Sequence, residues 1–219
     1  MIGFVVALNK EAEPLIEKLE QKSKTTVAGK PCFLGKFCDK EVVLVISGVG
    51  KVNSALSTQA IIDKFGVNAV INFGSVGGLK TSVLVKNYYL VDKCFQYDFD
   101  LSKLDGVSVG YIQDYDTVYF SAKKLSQNIG LEYKTLASSD RFTCEQKDVD
   151  IISSLNGDVF DMEGGAIGQV CLANGVDFYV LKGVTDLFNS GSNQEQFFAN
   201  LNAVCGGFPS VLEKLVKNI

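Results

Sequence analysis

The chain has 219 residues, 47% of them hydrophobic and 21% charged, with a net charge of −4. This is an ordinary globular composition, long enough for a substantial core, and it excludes a disordered chain and the basic footprint of a nucleic-acid binder. Histidine is absent, which removes Ser-His-Asp and Cys-His catalysis and leaves carboxylates as the default acid–base groups.

Residues 2–8 form a continuous apolar run, the pattern of a central strand covered on both faces. The run ends at Asn9-Lys10-Glu11 without a cleavage site, so it reads as a strand and not as a signal peptide. Ala12, Leu15, Ile16 and Leu19 then recur at helical spacing and predict a helix over 10–21. Short strands follow over 25–28, 31–38 and 42–47, separated by Gly29-Lys30 and Asp39-Lys40 as in a meander of hairpins. A helix is predicted over 51–65, with Val52, Ala55, Leu56, Ala60 and Ile61 as its apolar face and Gly66 as its stop.

The next buried strand is 67–73, running into Gly74-Ser75-Val76-Gly77-Gly78 as a glycine-rich turn. Residues 83–116 read as strands with a protruding loop and a turn at Asp105-Gly106. Then come a helix over 122–129, a strand over 134–138, a helix over 146–153 and a strand end at 158–161. A helix over 164–174 is closed by Gly175, and a strand over 178–184 leads into Thr185-Asp186. The last helix spans 194–216, with Phe197, Leu201, Val204, Phe208, Val211, Leu212 and Leu215 as its apolar stripe. Alternating strands and helices give an α/β fold, and the early hairpins make its sheet mixed. With no repeat or linker, the expectation is one domain over 1–219. No run approaches the ~20 apolar residues of a membrane span.

The six cysteines, Cys32, Cys38, Cys94, Cys144, Cys171 and Cys205, form no C-x-x-C pair and have no histidine to complete a metal site. Most sit among apolar neighbours, so they are expected to be unpaired and buried, as in a cytoplasmic protein with no metal and no cofactor.

Several strand ends are followed at once by an acid or a glycine-rich stretch, and in open α/β sheets ligands bind outside those ends. Glu11 follows the first strand; it is either a desolvated acid–base group or a first-turn helix acid. Gly74 to Gly78 either lets backbone N–H groups approach an oxygen-rich ligand, with the Ser75 hydroxyl beside them, or makes a tight turn. It matches neither a Walker loop nor a dinucleotide fingerprint. Asp161-Met162-Glu163 places two acids at a strand–helix junction; capping explains Asp161 well and Glu163 poorly. Asp186 closes an apolar strand that also carries Lys182, and alternation puts 182, 184 and 186 on one face. Lys182 either pairs with carboxylates or snorkels from an edge. Phe142 either stacks on a planar base or packs in the core.

Together, and in this order, these motifs resemble the nucleoside phosphorylase/nucleosidase superfamily, most closely its 5′-methylthioadenosine/S-adenosylhomocysteine nucleosidases. The residues that carry the resemblance are Ile2 to Leu8 with Glu11, Ser47-Gly48-Val49-Gly50-Lys51-Val52-Asn53, Asn72 to Gly78, Phe160 to Ile167, and Thr185-Asp186. The resemblance implies a three-layer αβα fold with a central mixed, strongly twisted sheet. It implies that Glu11 activates water and that Asp186 protonates N7 of adenine. It further implies that Met162 and Glu163 hold the ribose, Ser75 helps place the water, and Phe142 stacks on the base. Backbone near Thr143 would read the base edge, Val49 and Leu8 would line the apolar pocket, and Gly77 belongs to the substrate-binding set. A homodimer is implied, with residues 95–112 reaching a partner's pocket for the 5′ substituent. Lys182 stands where the family often has arginine, and 189–195 has no counterpart motif.

The implied partner is a small nucleoside, with neither nucleic acid nor membrane. Phosphate is best gripped by guanidinium forks, and the chain has a single arginine, Arg141. That favours hydrolysis over phosphorolysis. A phosphate-dependent phosphorylase and a non-catalytic nucleoside-binding module are the alternatives.

Overall fold

The computed structural model describes residues 1–79, 81–142 and 145–219. The first half comprises β1 (Ile2–Val6), α1 (Asn9–Lys18), β2 (Glu20–Val27), β3 (Lys30–Phe37), β4 (Lys40–Ile46), α2 (Lys51–Phe65) and β5 (Ala69–Gly78). The second comprises β6 (Tyr88–Gln96), α3 (Ser102–Asp105), β7 (Phe120–Ser121), β8 (Tyr133–Ser138), α4 (Gln146–Ser154), β9 (Val159–Asp161), α5 (Gly164–Asn174), β10 (Asp177–Leu187) and α6 (Asn193–Val216). All the strands join one mixed sheet, as expected for this α/β class.

β1 lies between β4 and β5 and is parallel to both. β4, β3 and β2 extend from it as an antiparallel wing. On the other side β5 pairs in parallel with β10, and pairing continues through β6, β8 and β9 back to β5. Five strands therefore close a ring, and the wing hangs from β5 through β1.

The apolar run of β1 serves two cores at once. Ile2, Phe4 and Val6 pack on one face, with Leu15 of α1 and Phe208 and Leu212 of α6. Val5 points the other way, with Ile61 of α2 and Ile167 and Cys171 of α5. β4 divides in the same way, as the two-residue period of a strand requires. α6 buries Leu201, Val204, Phe208, Leu212 and Leu215, and the Phe208 ring meets Phe73 edge-on at 5.3 Å. Among the described residues no helix is long and apolar enough to cross a membrane.

Several sequence expectations are corrected. The helix expected over 122–129 is absent. There the N–H groups of Ala122 and Lys123 donate to the Asp92 and Phe178 carbonyls, and that of Leu125 to the Tyr133 hydroxyl, so the segment is used up in contacts with strands. The helix expected to reach residue 21 stops at Lys18, because Leu19 turns extended and β2 begins at Glu20 to pair with β3. α2 has the expected ends but a different buried face. Ser54, Ser57, Thr58 and Ile61 face inward, while Val52 and Leu56 are exposed. α2 packs against α5, and Ser54 and Thr58 return their hydroxyl hydrogens to helix carbonyls.

The stretch from Gly74 to Gly78 is not a turn. It is the last half of β5, paired with β10 along its length and with β9 at Gly77 and Gly78. The five described cysteines outside position 144 are unpaired, and four of them are buried.

Candidate active site

The carboxyl ends of β1, β5, β9 and β10 converge on a cavity of about 600 Å³, closed over by the first turns of α6. Its walls include Leu8, Glu11, Val49, Ser75, Gly77, Phe142, Met162, Glu163 and Asp186. All the site residues expected from sequence therefore gather in one place, except Thr143, which lies outside the described residues.

Glu11 is the third residue of α1 and is buried. One carboxylate oxygen, Oε1, accepts the Ser75 N–H at 2.7 Å and the Ser75 hydroxyl at 2.6 Å; Oε2 accepts the Leu8 N–H at 3.1 Å. Burial pushes its pKa up, while the Ser75 bonds and the Lys182 charge pull the other way. Every neighbour donates, so the group is organised as an acceptor. Ser75 accordingly touches the acid directly, and its hydroxyl hydrogen is already committed.

Glu163 precedes α5, and its Oε1 accepts the Gly50 N–H at 2.9 Å. Gly50 holds a φ of +99°, which a side chain would strain. Burial first, and the Asp161 charge second, raise the Glu163 pKa to about 8.

Asp161 does a different job. Its Oδ2 lies 2.9 Å from Lys182 Nζ, and both side chains are almost wholly enclosed. It also accepts the Gly164 N–H and the Ser138 hydroxyl, which pins the start of α5. Lys182 sits on a strand with neighbours on both sides, so it pairs with a carboxylate and does not snorkel. Truncating either partner of such a pair costs about 3–5 kcal/mol, because the other charge stays buried.

Asp186 is buried at the end of β10. Thr185 Oγ1 donates to its Oδ1 and Asn193 Nδ2 to its Oδ2, each at 2.8 Å. Burial raises its pKa, and these two bonds lower it. The expectation that 182, 184 and 186 share a face fails here. Val184 opposes Val76 but Asp186 opposes Gly77, so two residues of β10 advance against one of β5. This bulge turns Asp186 away from the face of Val184. Gly77 makes room for it: a Cβ there would lie 2.3 Å from the Phe160 ring and 3.0 Å from Asp186 Oδ2.

Phe142 is partly exposed at the rim and meets Phe197 of α6 edge-on at 5.5 Å. The sequence reading missed the contribution of α6. Gln194, Phe197, Phe198 and Leu201 line the cavity, and Asn193 bonds the acid. Phe197 and Leu201 were assigned to the core stripe. The available signal was position, since α6 starts seven residues after Asp186 and must fold back over it. No residue of 95–112 lines the cavity from within the chain.

Comparison with known proteins bears on the family and the fold. The model of the phosphorylase superfamily matches residues 1–217. A 5′-methylthioadenosine/S-adenosylhomocysteine nucleosidase from Staphylococcus aureus is 33% identical over 230 residues, covering 100% of both chains. The structure of such a nucleosidase from Colwellia psychrerythraea in complex with adenine has a TM-score of 0.88 at 28% identity, covering 99% of this chain and 95% of that one. Futalosine hydrolase from Helicobacter pylori shares the fold, with a TM-score of 0.90 at 24% identity over 100% of this chain and 97% of that one.

Proposed function

Because this chain belongs to the phosphorylase superfamily, and within it to the 5′-methylthioadenosine/S-adenosylhomocysteine nucleosidases, we infer that its pocket hydrolyses the N-glycosidic bond of these nucleosides and releases adenine. The observation that carries this reading is the convergence of Glu11, Glu163 and Asp186, buried and differently bonded, on one nucleoside-sized cavity.

Breaking an N-ribosidic bond passes through an oxocarbenium-like state that needs a proton at the leaving group and a carboxylate at the water. Glu11, fixed by three donors, takes the proton of the attacking water. Asp186, with its pKa raised by burial, gives a proton to N7 of the departing adenine. Glu163 holds the ribose hydroxyls beside Met162. Ser75 orients Glu11 and the water. Leu8 and Val49 supply apolar wall, Phe142 stacks on the base, and Gly77 admits the base edge close to Asp186.

Water is the nucleophile in this scheme because the chain's one guanidinium is already engaged. Arg141 pairs with Asp148 and lies 5.8 Å from the Tyr97 ring, and Glu11 would repel an incoming phosphate. Adenine release from methylthioadenosine and S-adenosylhomocysteine tests this, with and without phosphate and with inosine as control. The full rate is expected without phosphate, and the sugar product is free methylthioribose from the first substrate and S-ribosylhomocysteine from the second. Glu11→Gln is expected to lower kcat by ~10²–10⁴. Strict phosphate dependence, or an unimpaired Glu11→Gln variant, would overturn the assignment.

The active unit is a homodimer, supported by exposed Val52 and Leu56 on α2 and Leu172 on the adjacent α5. Val49 is exposed too and also lines the cavity, so the partner would cover the pocket mouth with the exposed part of its residues 95–112. The unpaired cysteines are in keeping with a cytoplasmic enzyme.

A further inference from the structure

Three carboxamides of α6 grip the end of β10. Asn193 Nδ2 donates to Asp186 Oδ2 at 2.8 Å. Gln196 binds the Leu187 backbone twice, accepting its N–H at 3.2 Å and donating to its carbonyl at 3.3 Å. Asn200 Nδ2 donates to the Thr185 carbonyl at 2.9 Å. Positions 193, 196 and 200 follow the i, i+3, i+7 spacing of one helix face, and they engage residues 186, 187 and 185 respectively. Only Asn193 reaches a side chain. We propose that Asn193 is a positioning residue for the general acid, holding the Asp186 carboxyl toward the base and stabilising the carboxylate left when the proton has gone to N7. The proposal rests on the assignment of Asp186 as that acid.

The balance of the step is simple. The O–H bond of Asp186 breaks, N7 gains the proton, the glycosidic electron pair goes to adenine, and C1′ bonds the water oxygen as the water's proton passes to Glu11. The charge left on Asp186 is met by the Thr185 hydroxyl at Oδ1 and the Asn193 amide at Oδ2. An amide N–H donor favours the charged form. Without it Asp186 is a weaker acid that keeps its proton to higher pH.

The other titratable or charged groups around the cavity are Lys10 and Glu11 from α1, Arg141 after β8, Asp161 from β9 and Glu163 before α5. Lys182 lies on β10 itself, paired with Asp161, and Glu195 is the exposed third residue of α6. Asp186 is influenced by burial, Thr185 and Asn193.

The test is the pH profile of adenine release for the wild type, Asn193→Ala, Asn193→Asp, Gln196→Ala and Asp186→Asn, with Asn193→Ala also made in the Asp186→Asn background. Asn193→Ala is expected to lower kcat about tenfold, the worth of one charge-assisted hydrogen bond, with KM within about twofold. It should move the alkaline limb to higher pH, and Asn193→Asp should move it further. Gln196→Ala, which loosens the same latch without touching the carboxyl, should leave the limb in place. In the Asp186→Asn background Asn193→Ala should cost nothing more. An unmoved limb, or a full additional loss in that background, would refute the positioning role while leaving Asp186 as the acid. An active Asp186→Asn single variant would instead refute the assignment of the acid itself.

Discussion

Glu163 shows how one side chain links chemistry to stability. Its pKa rises from the ordinary 4.5 to about 8 in the folded protein, through burial and the nearby Asp161 charge. Between those values the native state holds a proton that the unfolded chain has released. Stability from this group is therefore complete below about 4.5 and lost as pH climbs to about 8, at up to ~1.4 kcal/mol per unit. Urea unfolding of the wild type and Glu163→Gln at pH 5, 6, 7 and 8 measures it: the wild type should lose ground to the variant as pH rises, and parallel curves would refute the buried proton. At this scale the sequence was informative. Glu11, Glu163 and Asp186 stood out because each followed a buried strand. Asn193 did not, since an asparagine opening a helix is unremarkable until the fold places it on a carboxylate.

At the scale of elements, legibility followed local chemistry. α5 ends where its sequence says, because Gly175 takes the left-handed conformation that stops a helix. What depends on partners across the sheet could not be read. β5 continues through a glycine-rich stretch that looks like a turn, and the bulge beside Asp186 exists only in the pairing of β10 with β5. The buried face of α2 follows its partners across several elements, which bury Ser54, Ser57, Thr58 and Ile61 and leave Val52 and Leu56 outside. The glycines of β5 serve close approach, which predicts that Gly77→Ala is harmful. Its methyl group would press on Phe160, costing about 1–3 kcal/mol as overpacking does. Thermal unfolding should show the loss, and adenine release should fall with it as Asp186 is displaced; an unchanged Tm would contradict the close approach.

For the whole molecule, the exposed apolar residues of α2 and α5 set the expectation of assembly. Sedimentation should give a dimer for the wild type and a monomer for Val52→Glu combined with Leu56→Glu. The monomer should bind methylthioadenosine more weakly, since its pocket mouth is left uncovered. A wild-type monomer with full activity would refute the dimer.

The closed ring of β5, β9, β8, β6 and β10 carries a consequence for biosynthesis. β10 slots between β5 and β6, yet it follows all the other described strands along the chain. Until it leaves the ribosome, β5 offers a bare hydrogen-bonding margin of apolar residues, the kind of surface on which nascent chains stick together. Asp186, its amide partner Asn193 and the roof of the cavity all arrive on that same stretch of β10 and α6. Catalytic competence and relief from aggregation therefore come together, once β10 and α6 have been made.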